Sequence, residues 1–312
     1  MAGARLYHVE ERRRLGPLGY RVARGATNLQ TAYFDVTGAA DPAALAGAGD
    51  ELIDATGADM FEFDYVAGNA ALFAAAQAWV ADGRASIEMK GRTAISECSG
   101  SFDEWMEGRN KSDRRTWRRN ARRLQEIGAA YEVITDIGDT DVHADEVIDI
   151  EGSGWKGQEQ SAIKNNPRDM RFYTLVTRRS AAEGCLHLAM MRHQGRAVAF
   201  DYGILSGGSL LALKASYREE YKGFSIGHIA AVKHLADAFA MDDVTLYDML
   251  GNGMTPHAHK VRFATGYRPF HRIRLFARTL RGELLLQADR AERVARAVRR
   301  SYRVSAVYEP VI

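Results

Sequence analysis

Cysteine, proline and long apolar runs are what this sequence has least of. Its 312 residues include only two cysteines and six prolines. Cys98 and Cys185 stand far apart with no paired-cysteine spacing, which argues against a disulfide framework and a cysteine metal site. Metal binding is not expected from the histidines either: His257 and His259 lie two apart, share no helix face, and have no evident third ligand. No run approaches the roughly 20 apolar residues of a membrane span, and no apolar signal core follows Met1. The expected location is therefore the cytoplasm. A nucleophile-elbow serine, a Walker loop, a dinucleotide fingerprint and a repeat of fixed period are also missing, which removes several large enzyme and scaffold classes.

What is present describes a packed α/β chain. Hydrophobic residues make up 46% and charged residues 26%, enough for a core and ordinary for a soluble protein. The net charge of +2 hides a polarity. Residues 25–82 hold nine acids and no Lys or Arg, whereas residues 260–303 hold thirteen cations against Glu283, Asp289 and Glu292. Two complementary solvated faces, or a field that steers an anionic ligand, both fit this distribution.

Periodicity and turn residues predict strands and helices in short alternation. Strands are expected at 60–66, 86–89, 93–97, 131–134, 185–191, 196–205, 209–216, 244–250 and 270–276. Helices are expected at 70–81, 112–127, 141–150, from Pro167 to about 183, at 226–240, at 257–265 and at 287–303. Ser101 with Glu104 forms a capping-box signature ahead of Trp105. The boundary is expected near 129, giving an amino-terminal unit of residues 1–129, with a basic linking helix, and a second unit of residues 130–312.

The stretch 197–251 reads as a hairpin, a loop, a helix start and a strand, an order that puts free backbone N–H groups where an anion would sit. With Ser206-Gly207-Gly208-Ser209 as the turn, Leu205 opposes Leu210 and counting back sets Asp201 opposite Lys214. On a largely apolar sheet that implies an ion pair, either self-satisfying or engaged with substrate. The loop before the helix gathers Arg218, Glu219, Glu220, Tyr221, Lys222 and Ser225, and Gly227 permits close backbone approach at the helix start; an ordinary Ser225 N-cap is the plainer reading. Trp155 and Lys156 between Gly154 and Gly157 offer a stacking wall and a point charge, or else a buried helix end. Residues 111–123 hold seven cations and one acid, yet Trp117, Ala121, Leu124 and Ile127 recur at helical spacing, so the cations flank an amphipathic stripe. A ligand-facing or solvated helix is favoured there over nucleic-acid contact. The helix at 290–303 has the same ambiguity, with an anionic membrane surface as a further partner.

Taken in order, Gly154-Trp155-Lys156-Gly157, Ala199-Phe200-Asp201-Tyr202-Gly203, Leu213-Lys214-Ala215-Ser216-Tyr217, Tyr221 with Ser225 and Gly227, and Tyr247-Asp248-Met249-Leu250-Gly251 resemble the GNAT-type acyltransferases of the CelD/BcsL family, linked to bacterial cellulose and exopolysaccharide production. The resemblance runs over about residues 15–276. It implies an α/β fold of two GNAT-like units in tandem, similar to the Fem peptidyltransferases, with the first unit abbreviated. It further implies acyl-CoA, acetyl-CoA first among such donors, as co-substrate, its pyrophosphate near Phe224, Ser225, Ile226, Gly227 and His228. Ile226 stands where the family often has proline.

The expected reaction is transfer of an acyl group from a thioester to an amine or hydroxyl of a small-molecule or saccharide acceptor. Such chemistry needs a base and a donor to the developing oxyanion. Asp201 is the first candidate base and Asp248 the second, with Lys214 balancing Asp201. Tyr217 or Tyr221 would protonate the leaving thiolate, and Trp155, Lys156 and Lys260 would border the acceptor. Two other readings stay open: a non-catalytic module whose basic helices hold nucleic acid or another anionic polymer, and aminoacyl transfer from a charged tRNA.

Overall fold

The computed structural model describes residues 5–28, 31–38, 41–138, 140–153, 163–251 and 259–305. They fall into two compact units. One is made of the two ends of the chain, Met1–Gly91 and Arg268–Ile312; the other is the continuous segment Arg92–Tyr267. The sequence boundary at 129 falls inside the second unit. Periodicity reports which residues share a face, not which distant segments close one core, so the return of the carboxyl-terminal residues to the first unit left no local trace.

In the end-to-end unit, β1 (His8–Leu15) and β2 (Leu18–Gly25) form an antiparallel hairpin, β2 runs parallel to β3 (Met60–Ala67), and β3 pairs antiparallel with β10 (Gly266–Phe276). The sequence reading assigned no strand before Met60. β1 is largely exposed and charge-rich, and β2 buries adjacent Val22 and Ala23, so neither carries the apolar alternation by which strands are recognised. Helices α1 (Pro42–Gly47), α2 (Gly49–Thr56) and α3 (Ala71–Ala81) supply Leu45, Ile53, Leu72 and Trp79 to a core with Phe61, Phe63, Ile273 and Leu275. Ala70 has no side chain to cap α3, and Asp35 does it from elsewhere, accepting the N–H groups of Ala71 and Leu72 at 2.9 and 3.0 Å.

The charge polarity is settled inside this unit. Arg272 binds Asp64 at 2.6 Å, Arg274 binds Glu62 at 2.8 Å, and Arg278 reaches Asp50 at 3.2 Å. Early acids and late cations are thus partners.

The continuous unit carries the strand order β4-β9-β8-β7-β6-β5, comprising β4 (Ala85–Glu97, entering from the first unit), β9 (Leu246–Asp248), β8 (Ser209–Tyr217), β7 (Arg196–Ser206), β6 (Leu186–His193) and β5 (Ala130–Ile134). All neighbours are antiparallel except β8 and β9. β4 is one strand where a pair was expected, and β9 is shorter than expected because its chain turns away after Asp248. On one face pack α4 (Phe102–Glu107), α5 (Lys111–Glu126) and α8 (Ile226–Ala240), through Trp105, Trp117, Leu124, Ile229 and Leu235 against Leu210 and Tyr247. The other face takes α6 (Val142–Gly152) and α7 (Pro167–Ala182), whose Val147, Ile150 and Tyr173 pack beside Phe200 and Tyr202. The Ser101–Glu104 capping box is formed, with Ser101 N–H donating to Glu104 at 2.8 Å and Glu104 N–H donating to Ser101 Oγ at 3.2 Å.

Candidate functional site

The β7–β8 hairpin keeps the expected register at its turn, Leu205 against Leu210, and then slips. Gly203 pairs with Ala212 while Tyr202 pairs with Lys214, so Leu213 is an extra residue on β8. Asp201 therefore opposes Ala215, not Lys214, and the two charges leave opposite faces of the sheet. The bulge sits at Gly203, where a Cβ would lie 2.6 Å from His187 O and 2.7 Å from the His234 ring. The register count assumed an unbroken ladder; the close approach of His234 at Gly203 accompanies its break.

Asp201 is enclosed. It is 3% exposed, accepts Tyr247 Oη at 2.6 Å, and has His234 Nδ1 3.3 Å from its Oδ2. His234 Nε2 in turn lies 3.0 Å from His187 Nδ1, continuing a buried chain of polar groups between β7, α8, β6 and β9. His234 Nε2 also lies 3.1 Å from His187 O, while His234 Nδ1 approaches Asp201 without making a hydrogen bond. Burial, and after it the neighbouring His234, pushes the His187 pKa down to about 4. Burial and the Asp201 carboxylate hold the Tyr247 hydroxyl well above its ordinary range. Burial also raises the Cys98 thiol to about 11, so it is no thiolate nucleophile near neutral pH.

Lys214 has its own partner. Its Nζ is 3.1 Å from Glu151 Oε1 at the end of α6 and 5.5 Å above the Tyr173 ring, and Glu151 Oε2 accepts Ile163 N–H at 2.8 Å. Glu151 has no exposed surface. Glu151, His187 and His234 belong to none of the sequence motifs, and Tyr247 is marked only by its place in Tyr247-Asp248-Met249-Leu250-Gly251. His234 had a visible signal, a polar residue on the inward face of an otherwise apolar helix; Glu151 had only its place just before Gly154-Trp155-Lys156-Gly157. Trp155 and Lys156 themselves lie outside the described residues.

Among the described residues β8 and β9 pair only at Ser209–Leu246, Leu210–Tyr247 and Leu211–Asp248. From Ala212 to Tyr217, β8 continues without β9, so the two strands part and leave a strand edge toward β9's side. At the far end of β8 the chain makes a 3-10 turn, Glu219–Phe224, and starts α8. Ser225 sits in the left-handed region at φ 53° and makes no side-chain cap. His228 and Ile229 N–H both return to Ser225 O, at 2.9 and 3.1 Å. The N–H groups of Ile226 and Gly227 are then the first-turn donors that no described group claims. A Cβ on Gly227 would meet the Tyr217 ring at 2.8 Å, so glycine lets that ring lie directly on the helix start. Tyr221 is held differently, its hydroxyl 2.7 Å from His193 Nδ1. Phe224 lies under the Arg123 guanidinium at 4.7 Å, Arg123 also donating to Gly223 O at 3.1 Å, while His228 meets the edge of Phe263.

The end of β9 is pinned in an uncommon conformation. Leu250 and Gly251 both have positive φ, 47° and 69°, and a non-glycine residue there costs roughly 1 kcal/mol. Two side chains hold it. Asp248, fully buried, accepts Leu250 N–H at 3.0 Å, and Lys260 donates to Met249 O and Leu250 O, each at 2.6 Å. The structure thus brings Lys260 and Asp248 together at the turn, and gathers Tyr217, Ser225, Ile226 and Gly227 at the helix start. It separates Asp201 from Lys214.

Residues 111–261 match the family model described as an acetyltransferase (GNAT) domain. That match covers just under half of the chain. Solved structures share the fold across nearly the whole chain. FemX matches with a TM-score of 0.58 at 12% identity, covering 91% of this chain and 90% of its own. L-PGS from Bacillus licheniformis matches at 0.52 and 14% identity, covering 91% and 88%. A conserved protein of unknown function from Bacteroides thetaiotaomicron matches at 0.53 and 12%, covering 86% and 83%. No curated protein matches in sequence. The architecture is a mixed α/β, tandem GNAT-like fold.

Proposed function

We propose that the chain transfers an acyl group from acyl-CoA to an amine or hydroxyl acceptor. The observation that carries this reading is the parting of β8 from β9 beside the unclaimed N–H groups of Ile226 and Gly227. The open edge of β8 suits the amides of an extended donor arm, and the helix start suits the donor's phosphates. In the reaction the acceptor's nitrogen or oxygen gives up a proton to solvent water and attacks the acyl carbon, the carbon–sulfur bond breaks, and the sulfur leaves as a thiolate that takes a proton. Tyr217 is the proposed donor of that proton, because it lies on the helix start while the Tyr221 hydroxyl is engaged by His193. Asp201 is proposed as a positioning residue that acts through Tyr247, since its carboxylate is already enclosed. Lys260, with the turn it holds, and Trp155 and Lys156, which follow α6 in sequence, are the proposed border of the acceptor. The CelD/BcsL resemblance makes a saccharide of the cell envelope the favoured acceptor class.

Calorimetry with coenzyme A and acetyl-CoA tests the reading. Saturable binding that is lost on Gly227→Trp is expected; no heat of binding from the intact chain would remove it.

A second donor has one observation in its favour. On α5 the exposed side chains of Lys111, Arg115, Arg118, Arg119 and Arg122 share one face, opposite buried Trp117 and Leu124. Like charges at helical spacing cost a few tenths of a kcal/mol per pair, a cost that a polyanionic donor such as a charged tRNA would offset. Transfer that depends on aminoacyl-tRNA and ignores acyl-CoA would favour that donor.

A further inference from the structure

Helix α9 (Leu280–Ser305) packs on its unit through one apolar face and exposes a second. Inward, Leu285 and Leu286 are buried beside Val22, Met60 and Phe276, and Asp289 takes Arg274 at 2.6 Å. Along the same side Arg293 donates to Ile87 O at 3.3 Å and Arg296 to Glu88 at 2.7 Å. The helix is therefore fixed to its unit by one face. Outward, Leu280 is 81% exposed, Leu284 49%, Val294 64% and Val298 46%, with exposed Ala291 among them. Their spacings of four, seven, three and four residues set them on one line. From 280 to 298 that ridge is about 27 Å long at 1.5 Å per residue. Exposed Arg281 and Arg299 flank it on one side, with Glu292 taken up by Arg296, and on the other lie Glu283 and Arg290, which also donates to Gly83 O at 3.1 Å.

We propose that this outward ridge docks α9 flat on an anionic lipid bilayer, with the apolar line in the acyl boundary and the flanking arginines on lipid phosphates. An apolar ridge edged with arginine has the pattern of an interfacial helix. A second copy of the chain fits less well. A ridge about 27 Å by 10 Å gives roughly 540 Å² from two copies, against the roughly 1,200 Å² of a stable interface. Gln287, bonded to Glu283 at 2.6 Å, also interrupts the line at its middle. A nucleic acid would make no use of the leucines and valines. Among the described residues no helix is long and apolar enough to cross a membrane, so the contact is with one leaflet. The inference does not depend on which donor or acceptor the GNAT domain takes.

Co-sedimentation of the full chain with vesicles tests it directly. Binding is expected to vesicles of equal phosphatidylcholine and phosphatidylglycerol, little to phosphatidylcholine alone, and less as salt rises. Arg281→Gln and Arg299→Gln are each expected to weaken it about fivefold, the effect of one cation near an anionic surface. Leu284→Glu and Val294→Glu are expected to abolish it, and Val294→Trp to show blue-shifted fluorescence only with the mixed vesicles. The Arg118→Gln, Arg119→Gln double variant on α5 serves as the control. Loss of binding in that variant but not in Val294→Glu would overturn the assignment to α9. So would no binding to either vesicle, or light scattering that shows a dimer broken by Val294→Glu.

Discussion

At the residue scale, Gly203 and the histidines beside it decide what Asp201 can do. A methyl group at Gly203 would collide with His187 O and the His234 ring. Gly203→Ala is thus expected to lose about 1–3 kcal/mol, the usual range for overpacking a core, read as a lower urea midpoint with unchanged slope. His187 gives the same network a pH signature. Its pKa in the fold is about 4, below the ordinary 6.5, so the folded state prefers the neutral ring. That preference stabilises the protein fully above pH 6.5 and is lost as the pH falls through 4. The difference amounts to at most about 3 kcal/mol. Urea unfolding between pH 7 and pH 4 should show this loss in the intact protein and a flatter profile in His187→Leu; equal profiles would mean that His187 is not held neutral.

At the scale of elements, the part legible beforehand is what local chemistry dictates. The Ser101–Glu104 box, Pro167 at the start of α7, and Trp117 with Leu124 on α5 were readable because cap, proline and apolar spacing act within a turn or two. The bulge at Gly203 was not, since it depends on His234 arriving from α8. Nor was the brevity of β9: Val244 to Leu250 is apolar enough for a longer strand, and only Lys260 and Asp248 show where the chain leaves the sheet. Of the candidate site, the helix start at Ile226-Gly227 and its neighbour Tyr217 were visible in the sequence; the partner of Lys214 was not. The turn after β9 carries its own prediction. Lys260→Met removes both donors to the Met249 and Leu250 carbonyls, each a charge-assisted bond of about 1.5–3 kcal/mol at most. Activity is expected to fall at least tenfold while Leu250→Gly, which accepts positive φ without strain, partly restores it; an unchanged rate in Lys260→Met would detach the turn from function.

At the scale of the whole molecule, the feature that sequence patterns hid is the assembly of one unit from both chain ends. Glu62 shows how tightly the ends are joined. Burial alone would raise its pKa, yet Arg274, Arg272 and Arg13 hold its carboxyl below the ordinary range. Arg274→Met leaves Glu62 and Asp289 buried without their shared cation, and loss of one partner from such a cluster typically costs about 3–5 kcal/mol. The expected result is a lowered melting temperature that recovers in part at acidic pH, where the stranded carboxylates take up protons; a melting temperature within a degree or so of the parent, given roughly 2–4 °C per kcal/mol for this size, would contradict the account.

The same layout has a consequence during synthesis. β3 emerges early with Phe61 and Phe63, but its antiparallel neighbour β10 lies beyond the entire continuous unit. At roughly 5–20 residues per second, the nascent first segment waits on the order of ten seconds or more with one edge of β3 unpaired. The continuous unit can fold as it leaves the ribosome, whereas the end-to-end unit closes last.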